Sequence, residues 1–350
     1  MKKNSRLLAL VLAAAMALSL LAGCGPARET PSSGSDEPEQ PGIVLTDQVG
    51  REVVLEEPAE RVVSAYYLSS SLLVALGARD KVVGIEMKAD TRGLYQLAAP
   101  EFLELPAVGS GKGVNVEETA ALEPDLVILP KKLAEQTEQF DALEIPCLVI
   151  DPETLEGFWE AVDLIAAATG TEEQVARLVQ YQRDVMERVT TLCAETEGRP
   201  SVYLAGSDFL RTVGSGMYQN QLIEMCGGVN AAMAFEDSAW VDISPEELVS
   251  WNPDRIYMVS YAEYSRDDVL NDERFKGLAA MQQEQTDFLV FPSAIEPWDY
   301  PTASMALGAL WLGNQLHPEV VTEEEYVTEA QYFYREFFGV EVSAEDLLAH

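Results

Sequence analysis

Short apolar runs and helical patterns alternate along this chain in two series, and one long helical stretch separates them. That order constrains the fold more than any other feature. Strands separated by helices pair in parallel and bury both faces of their sheet. In the first series, strands are predicted at Val62–Tyr66, Lys81–Ile85, Leu126–Leu129 and Cys147–Ile150. Helices are predicted between them at Ser69–Leu76, Glu117–Leu122 and Glu135–Leu143, the first stopped by Gly77. In the second series, strands are expected at Ser201–Ala205, Arg255–Val259 and Phe288–Phe291. Helices are expected at Asn220–Cys226, from Pro245, and near Phe275–Met281. Two more, Ala303–Leu316 and Glu323–Phe338, close the chain. Ahead of both series, "IVLTDQVGREVVLEEP" carries two apolar runs around Asp47–Gly50 and reads as a β-hairpin.

The long stretch opens at Thr171-Glu-Glu-Gln, a capping pattern, and Val175, Leu178, Val179, Val185, Val189 and Leu192 hold helical spacing to about Glu197. Gly198 and Pro200 stop it. At 1.5 Å per residue it spans roughly 40 Å, long for a helix inside one compact domain and suited to joining two. An internal echo supports two lobes. Asn115–Asp125, "NVEETAALEPD", aligns without gaps on Ser244–Asp254, "SPEELVSWNPD". Each has an N-cap residue, an acidic first turn, a short helix, Pro-Asp, and then a strand. The expected organisation is a first α/β lobe over 43–170, a connecting helix over 171–197, and a second α/β lobe with C-terminal helices over 198–350. Both sheets are expected to be mostly parallel. The helices from Pro318 on are expected to pack on the second lobe.

The N-terminus reads as a targeting segment over 1–23. Lys2, Lys3 and Arg6 precede an apolar run from Leu7 to Ala22 that is short for a membrane span. Leu21-Ala22-Gly23-Cys24 resembles a bacterial lipobox, which makes Cys24 a lipidated N-terminus anchored outside the cytoplasmic membrane. Residues 24–42, rich in Pro, Ser, Gly and Glu, then read as a flexible tether. The formal charge is −36, from 59 acidic and 23 basic residues. That balance argues against binding nucleic acid or an anionic membrane face. Cys147, Cys193 and Cys226 remain beyond the tether, and no metal-type spacing occurs. One disulfide or three buried thiols both fit.

Ligands of open parallel sheets lie beyond the carboxyl ends of the strands. In this chain the residues that follow the predicted strands are cationic and aromatic. Tyr66 and Tyr67 follow the first strand, and Met87, Lys88 and Arg92 the second. Lys112 sits in the turn Gly109–Gly113, and Lys131 and Lys132 follow "DLVILP". In the second half come Arg211, Tyr218, Trp240, Tyr261, Trp298 and Tyr300. Two adjacent lysines in so acidic a chain ask for a reason, and a cleft of cations and ring faces around a bulky anion supplies one. "GSGKG" lacks the Ser/Thr and the spacing of a phosphate loop. The histidines are His317 and His350, too few for a site built on several imidazoles. No nucleophile–histidine–acid set can be assembled, so no catalytic residue is expected. Glu296 and Asp299 are expected in a solvated loop.

Four segments resemble the substrate-binding lipoproteins of ABC importers for ferric siderophores, haem and cobalamin. They are "DQVGREVVLEEPAERVVS", "LLVALGARDKVVGI", "VNVEETAALEPDLVIL", and "YQNQLIEMCGGVNA" followed by "WVDISPEELVSWNPD". Together they extend from about Ile43 to His317. The resemblance implies two Rossmann-like lobes joined by one rigid helix, the class III arrangement, with the ligand between them and little closure. It implies a monomer that carries no cofactor and works with a permease and its ATPase. Glu117 and Glu246 match the glutamates that dock on permease arginines. Trp240 matches a position where cobalamin binders place an aromatic ring. Gly111 and Pro130 stand where two of their tryptophans would be, which weighs against cobalamin. The scarcity of histidine weighs against axial haem ligation, although Tyr66, Tyr67 or Tyr218 could ligate iron. The cations favour an anionic ferric chelate such as a catecholate or carboxylate siderophore. Molybdate or tungstate on the same scaffold is the alternative, followed by a non-transport surface sensor, an adhesion module or an enzyme.

Overall fold

The computed structural model describes residues 42–236, 240–282 and 287–348. The leader, Cys24, the tether up to residue 41, and His350 lie outside them. The hairpin forms as Ile43–Thr46 paired antiparallel with Glu52–Leu55. Asp47 organises its turn by accepting from the N–H groups of Val49 and Arg51.

Two six-stranded sheets follow. In the first, the strand order runs Gly113–Val114, Ala107–Ser110, Val82–Glu86, Val62–Ser64, Leu126–Pro130, Cys147–Ile150. Every pairing is parallel except the edge pair Ala107–Ser110 with Gly113–Val114. The interior strands Val62–Ser64 and Leu126–Pro130 are buried at every residue, the mark of a sheet covered on both faces. In the second sheet, Ser201–Ala205, Arg255–Met258 and Phe288–Val290 are parallel neighbours. Val229–Asn230 adds in parallel to Ser201–Ala205. Arg211–Val213 and Trp240–Asp242 pair antiparallel at the other edge. This is the two-lobe α/β fold with mainly parallel sheets.

The internal echo has a structural basis. Asn115 and Ser244 each accept from the backbone N–H three residues on, which starts their helices. Glu123 and Asn252, each just before the proline, both take left-handed backbone (φ 49° and 44°). Asp125 then accepts from the N–H groups of Glu60 and Arg61, ahead of strand Val62–Ser64. Asp254 accepts from Ser201 N–H at the start of strand Ser201–Ala205. The Pro-Asp pair therefore clips the neighbouring parallel strand in each half.

The connecting helix is Glu172–Ala194, 23 residues and about 35 Å. Thr171 does not cap it through its side chain. Thr171 is buried instead, with its hydroxyl against that of Thr169 at 3.1 Å. The reason is a helix the periodicity reading passes over, Leu155–Thr169, which ends at left-handed Gly170 directly before Thr171. Its own signals were present, since Thr154 accepts from Gly157 N–H and glycine follows the last turn. The connecting helix packs against Leu155–Thr169 on one side and against Met305–Leu316 and Tyr218–Met225 on the other.

The C-terminal helices are not confined to the second lobe. Arg188 pairs with Glu329 at 2.7 Å, Arg177 pairs with Glu336, and Tyr181 stacks on Phe333. These contacts lay Glu323–Phe333 along the connecting helix. The π-type turn Tyr334–Phe338 reaches the first-lobe helix Tyr67–Ala75. The two halves also meet directly. Ser71 donates to Glu296 and Tyr218 N–H to the Glu153 carbonyl, while from the connecting helix Gln182 Nε2 donates to the Ala303 carbonyl.

Gly93, at the start of the first-lobe helix Gly93–Ala98, lies directly against the Ala294 carbonyl, with which any Cβ would collide. Gly93→Ala is expected to lower stability in urea unfolding by about 1–3 kcal/mol, the range of overpacked positions. A wild-type midpoint would mean that the two segments can part freely.

Candidate functional site

The carboxyl ends of the strands in both sheets open onto one cavity of about 890 Å³. The first lobe contributes Tyr66, Tyr67 and Lys88, together with Arg92, Lys112 and Lys132. Across from them stand Arg211, Gln219, Trp240, Tyr261 and Tyr300. Several of these positions depend on a neighbour that gives way. Lys132 lies over Gly111, where a Cβ would come within 2.6 Å of Lys132 Cε. The Trp240 ring lies on Gly206, whose Cβ would stand 2.5 Å from it. Lys88 holds left-handed backbone (φ 68°), uncommon for a non-glycine residue, as the chain leaves strand Val82–Glu86.

The second-lobe wall is an arc of rings. Trp240 meets Tyr261 edge-on at 6.4 Å, and Tyr261 meets Tyr300 at 4.9 Å. On the first-lobe side the Arg92 guanidinium sits 4.0 Å above the centre of the Tyr67 ring. Arg92 Nε and the Tyr67 hydroxyl are buried without a hydrogen-bond partner among the described residues. Tyr66 donates to Glu153 Oε1 at 3.2 Å. The cations on this cavity are thus Lys88, Arg92, Lys112, Lys132 and Arg211, against the carboxyls of Glu86 and Glu153. Burial raises the pKa of both carboxyls, more than the donors of Ser70 and Tyr95 lower Glu86 and the Tyr66 hydroxyl lowers Glu153. The wall therefore presents more positive than negative charge inside a strongly acidic protein.

Three sequence candidates stand elsewhere. Lys131 is not among the residues that line the cavity; its side chain is 59% exposed and its ammonium lies 2.6 Å from Asp151. The chain enters a 3₁₀ segment, Lys131–Gln136, at that point, and the adjacent lysines have different neighbours, Asp151 for Lys131 and Gly111 for Lys132. Tyr218 is fully buried and donates its hydroxyl to the Met305 carbonyl. Trp298 is also buried, with Nε1 donating to the Tyr334 hydroxyl. Both rings are packing residues whose polar handles are satisfied inside the protein. Arg92, named after its strand, lines the cavity, and so does Gln219, which the sequence reading passes over.

Glu296 and Asp299 are buried rather than solvated. Ser71 reaches Glu296 from the other half, and Ser260 donates to Asp299 at 3.4 Å. Burial pushes the Asp299 carboxyl up to about 7. Cys147, Cys193 and Cys226 are buried free thiols, the first pushed up to about 12 by burial. On the outside of the lobes, Glu117 and Glu246 are both exposed in the first turns of the two echo helices. Glu247 folds back to cap Ser244, so Glu246 is the outward acid of its pair.

A family model for periplasmic binding proteins matches residues 62–287. The chain belongs to the periplasmic binding protein family. It is a solute-binding component of an ABC transporter and not an enzyme. It is 25% identical over 323 residues to the molybdate-binding protein MolA of Haemophilus influenzae, covering 84% of this chain and 90% of that protein. The MolA structure with bound molybdate superposes with a TM-score of 0.77 at 24% identity, over 86% of this chain and 99% of that one. An uncharacterised ABC transporter substrate-binding lipoprotein of Bacillus subtilis, YvrC, is 27% identical over 266 residues, 73% of this chain and 81% of that protein.

The buried carboxyls give a pH dependence. An unfolded aspartate titrates near about 4, whereas Asp299 in the folded protein titrates at about 7. Between these values the folded state holds the extra proton. The stability present below about pH 4 is therefore lost as pH rises through 7. The protein is expected to melt roughly 5 °C or more higher at pH 5 than at pH 8. Asp299→Asn should reduce that difference in calorimetry, and an unchanged difference would assign it to Glu86, Glu153 and Glu296.

Proposed function

We propose that this protein captures an anionic metal chelate, a ferric siderophore above all, between its lobes and delivers it to an ABC permease. The observation that carries the reading is the concentration of Lys88, Arg92, Lys112, Lys132 and Arg211 on one cavity of a chain with formal charge −36. Cations beside ring faces suit a bulky anion with delocalised charge. The cavity of about 890 Å³ also lies within the range of about 300–1,000 Å³ that drug-sized ligands occupy. A bare oxyanion would fill little of it. Molybdate is nevertheless the second reading, favoured by the similarity to a molybdate-binding protein. Lipidation at Cys24 would hold the protein at the outer face of the membrane, with Glu117 and Glu246 meeting cations of the permease.

Titration of tryptophan fluorescence with ferric catecholate and carboxylate chelates, haem, cobalamin and molybdate tests the capture, because Trp240 lies on the cavity. Lys112→Glu combined with Lys132→Glu should weaken chelate binding by about tenfold or more. Lys131→Glu, at the lysine that does not line the cavity, should leave the affinity close to wild type. If the pattern is reversed, Lys131 belongs to the site and Lys132 does not.

The docking role separates from capture. Glu117→Ala with Glu246→Ala should keep the affinity for the guest and reduce uptake in whole cells by at least about tenfold. Wild-type uptake by that double variant would reject the role.

A further inference from the structure

We infer that the guest presents hydrogen-bond donors as well as negative charge, and that Gln219 reads them. The assignment rests on the capture reading and concerns the same cavity. Gln219 lies in the first turn of helix Tyr218–Met225, is 3% exposed, and lines the cavity. Its Nε2 donates to the backbone carbonyl of Asp299 at 3.1 Å. A carbonyl only accepts, so that bond fixes which end of the amide faces which way. Oε1 is left over, buried and without a partner among the described residues. It is an acceptor, and unlike a carboxylate it cannot become a donor by taking up a proton near neutral pH. The residue before Gln219 ties this helix to the first lobe, since the Tyr218 N–H donates to the Glu153 carbonyl at 3.1 Å. The Glu153 side chain accepts from Tyr66 on the cavity wall.

The cavity thus combines cations from both lobes with the acceptors Gln219 and Glu153. Molybdate at neutral pH offers acceptors only. Seated against Gln219, it would leave Oε1 unpaired and set oxygen against oxygen, an arrangement that disfavours binding. An organic chelate with amide N–H or alcohol O–H groups beyond its metal-binding atoms satisfies both the cations and that acceptor. Gln219 is therefore a specificity-determining residue that separates such chelates from bare oxyanions.

The test titrates the full-length protein and Gln219→Met with two probes, followed by tryptophan fluorescence. One probe is an anionic ferric citrate–hydroxamate chelate bearing amide N–H groups, and the other is sodium molybdate. The wild type should bind the chelate at least about tenfold more tightly than molybdate, and Gln219→Met should weaken the chelate by about fivefold or more while molybdate stays unchanged. Molybdate binding as tight as the chelate in the wild type would overturn the assignment and leave capture standing. An equal loss for both probes would also overturn it, reducing Gln219 to a structural role. Binding of neither probe, together with no response to ferric catecholates, haem or cobalamin, would defeat the capture reading itself.

Discussion

A continuous α-helix bends sharply only at the expense of its own backbone hydrogen bonds, and here one such helix carries both sheets. Glu172–Ala194 touches Leu155–Thr169 from the first half and Met305–Leu316 from the second. The spacing of the two sets of strand ends follows from that stiffness. Side contacts reinforce it, through Ser71 with Glu296, Gln182 with Ala303, and the C-terminal turn that reaches back to Tyr67–Ala75. A hollow held this way is largely formed before a guest arrives, which lowers the ordering cost of binding.

Within that frame the electrostatics are local. A net charge of −36 keeps the protein soluble, yet the strand exits facing the hollow gather lysine and arginine. Salt screens the distant acidic surface over about 8–10 Å, whereas the near cations act at contact range. Of the acids on this wall, Glu86 is buried, and for both Glu86 and Glu153 desolvation against the wall favours the neutral form. They therefore offset the cations less than a count of charges would suggest.

Much of this was legible in the sequence because it rests on local signals. Strand–helix alternation, the caps at Asn115 and Ser244, and the residues after each strand need only a few neighbours to read. The failures came where the deciding partner is far along the chain. Glu296 and Asp299 look like loop acids until Ser71 and Ser260 arrive. Tyr218 and Trp298 look like cleft aromatics until Met305 and Tyr334 take their polar atoms. Lys131 and Lys132 are identical in sequence terms, and only their tertiary neighbours separate them, Asp151 for the first and the cavity for the second. Arg92 was visible after its strand, but only the tertiary fold sets it above Tyr67.

The seat of Trp240 on Gly206 has a consequence for how such a protein can change its diet. The indole reaches its present depth because residue 206 has no side chain. Any larger residue there would push the ring toward the opposite lobe and shrink the room for a guest without altering a single charge. Bulk and charge preferences are thus set by separate residues, so a lineage could retune one while conserving the other.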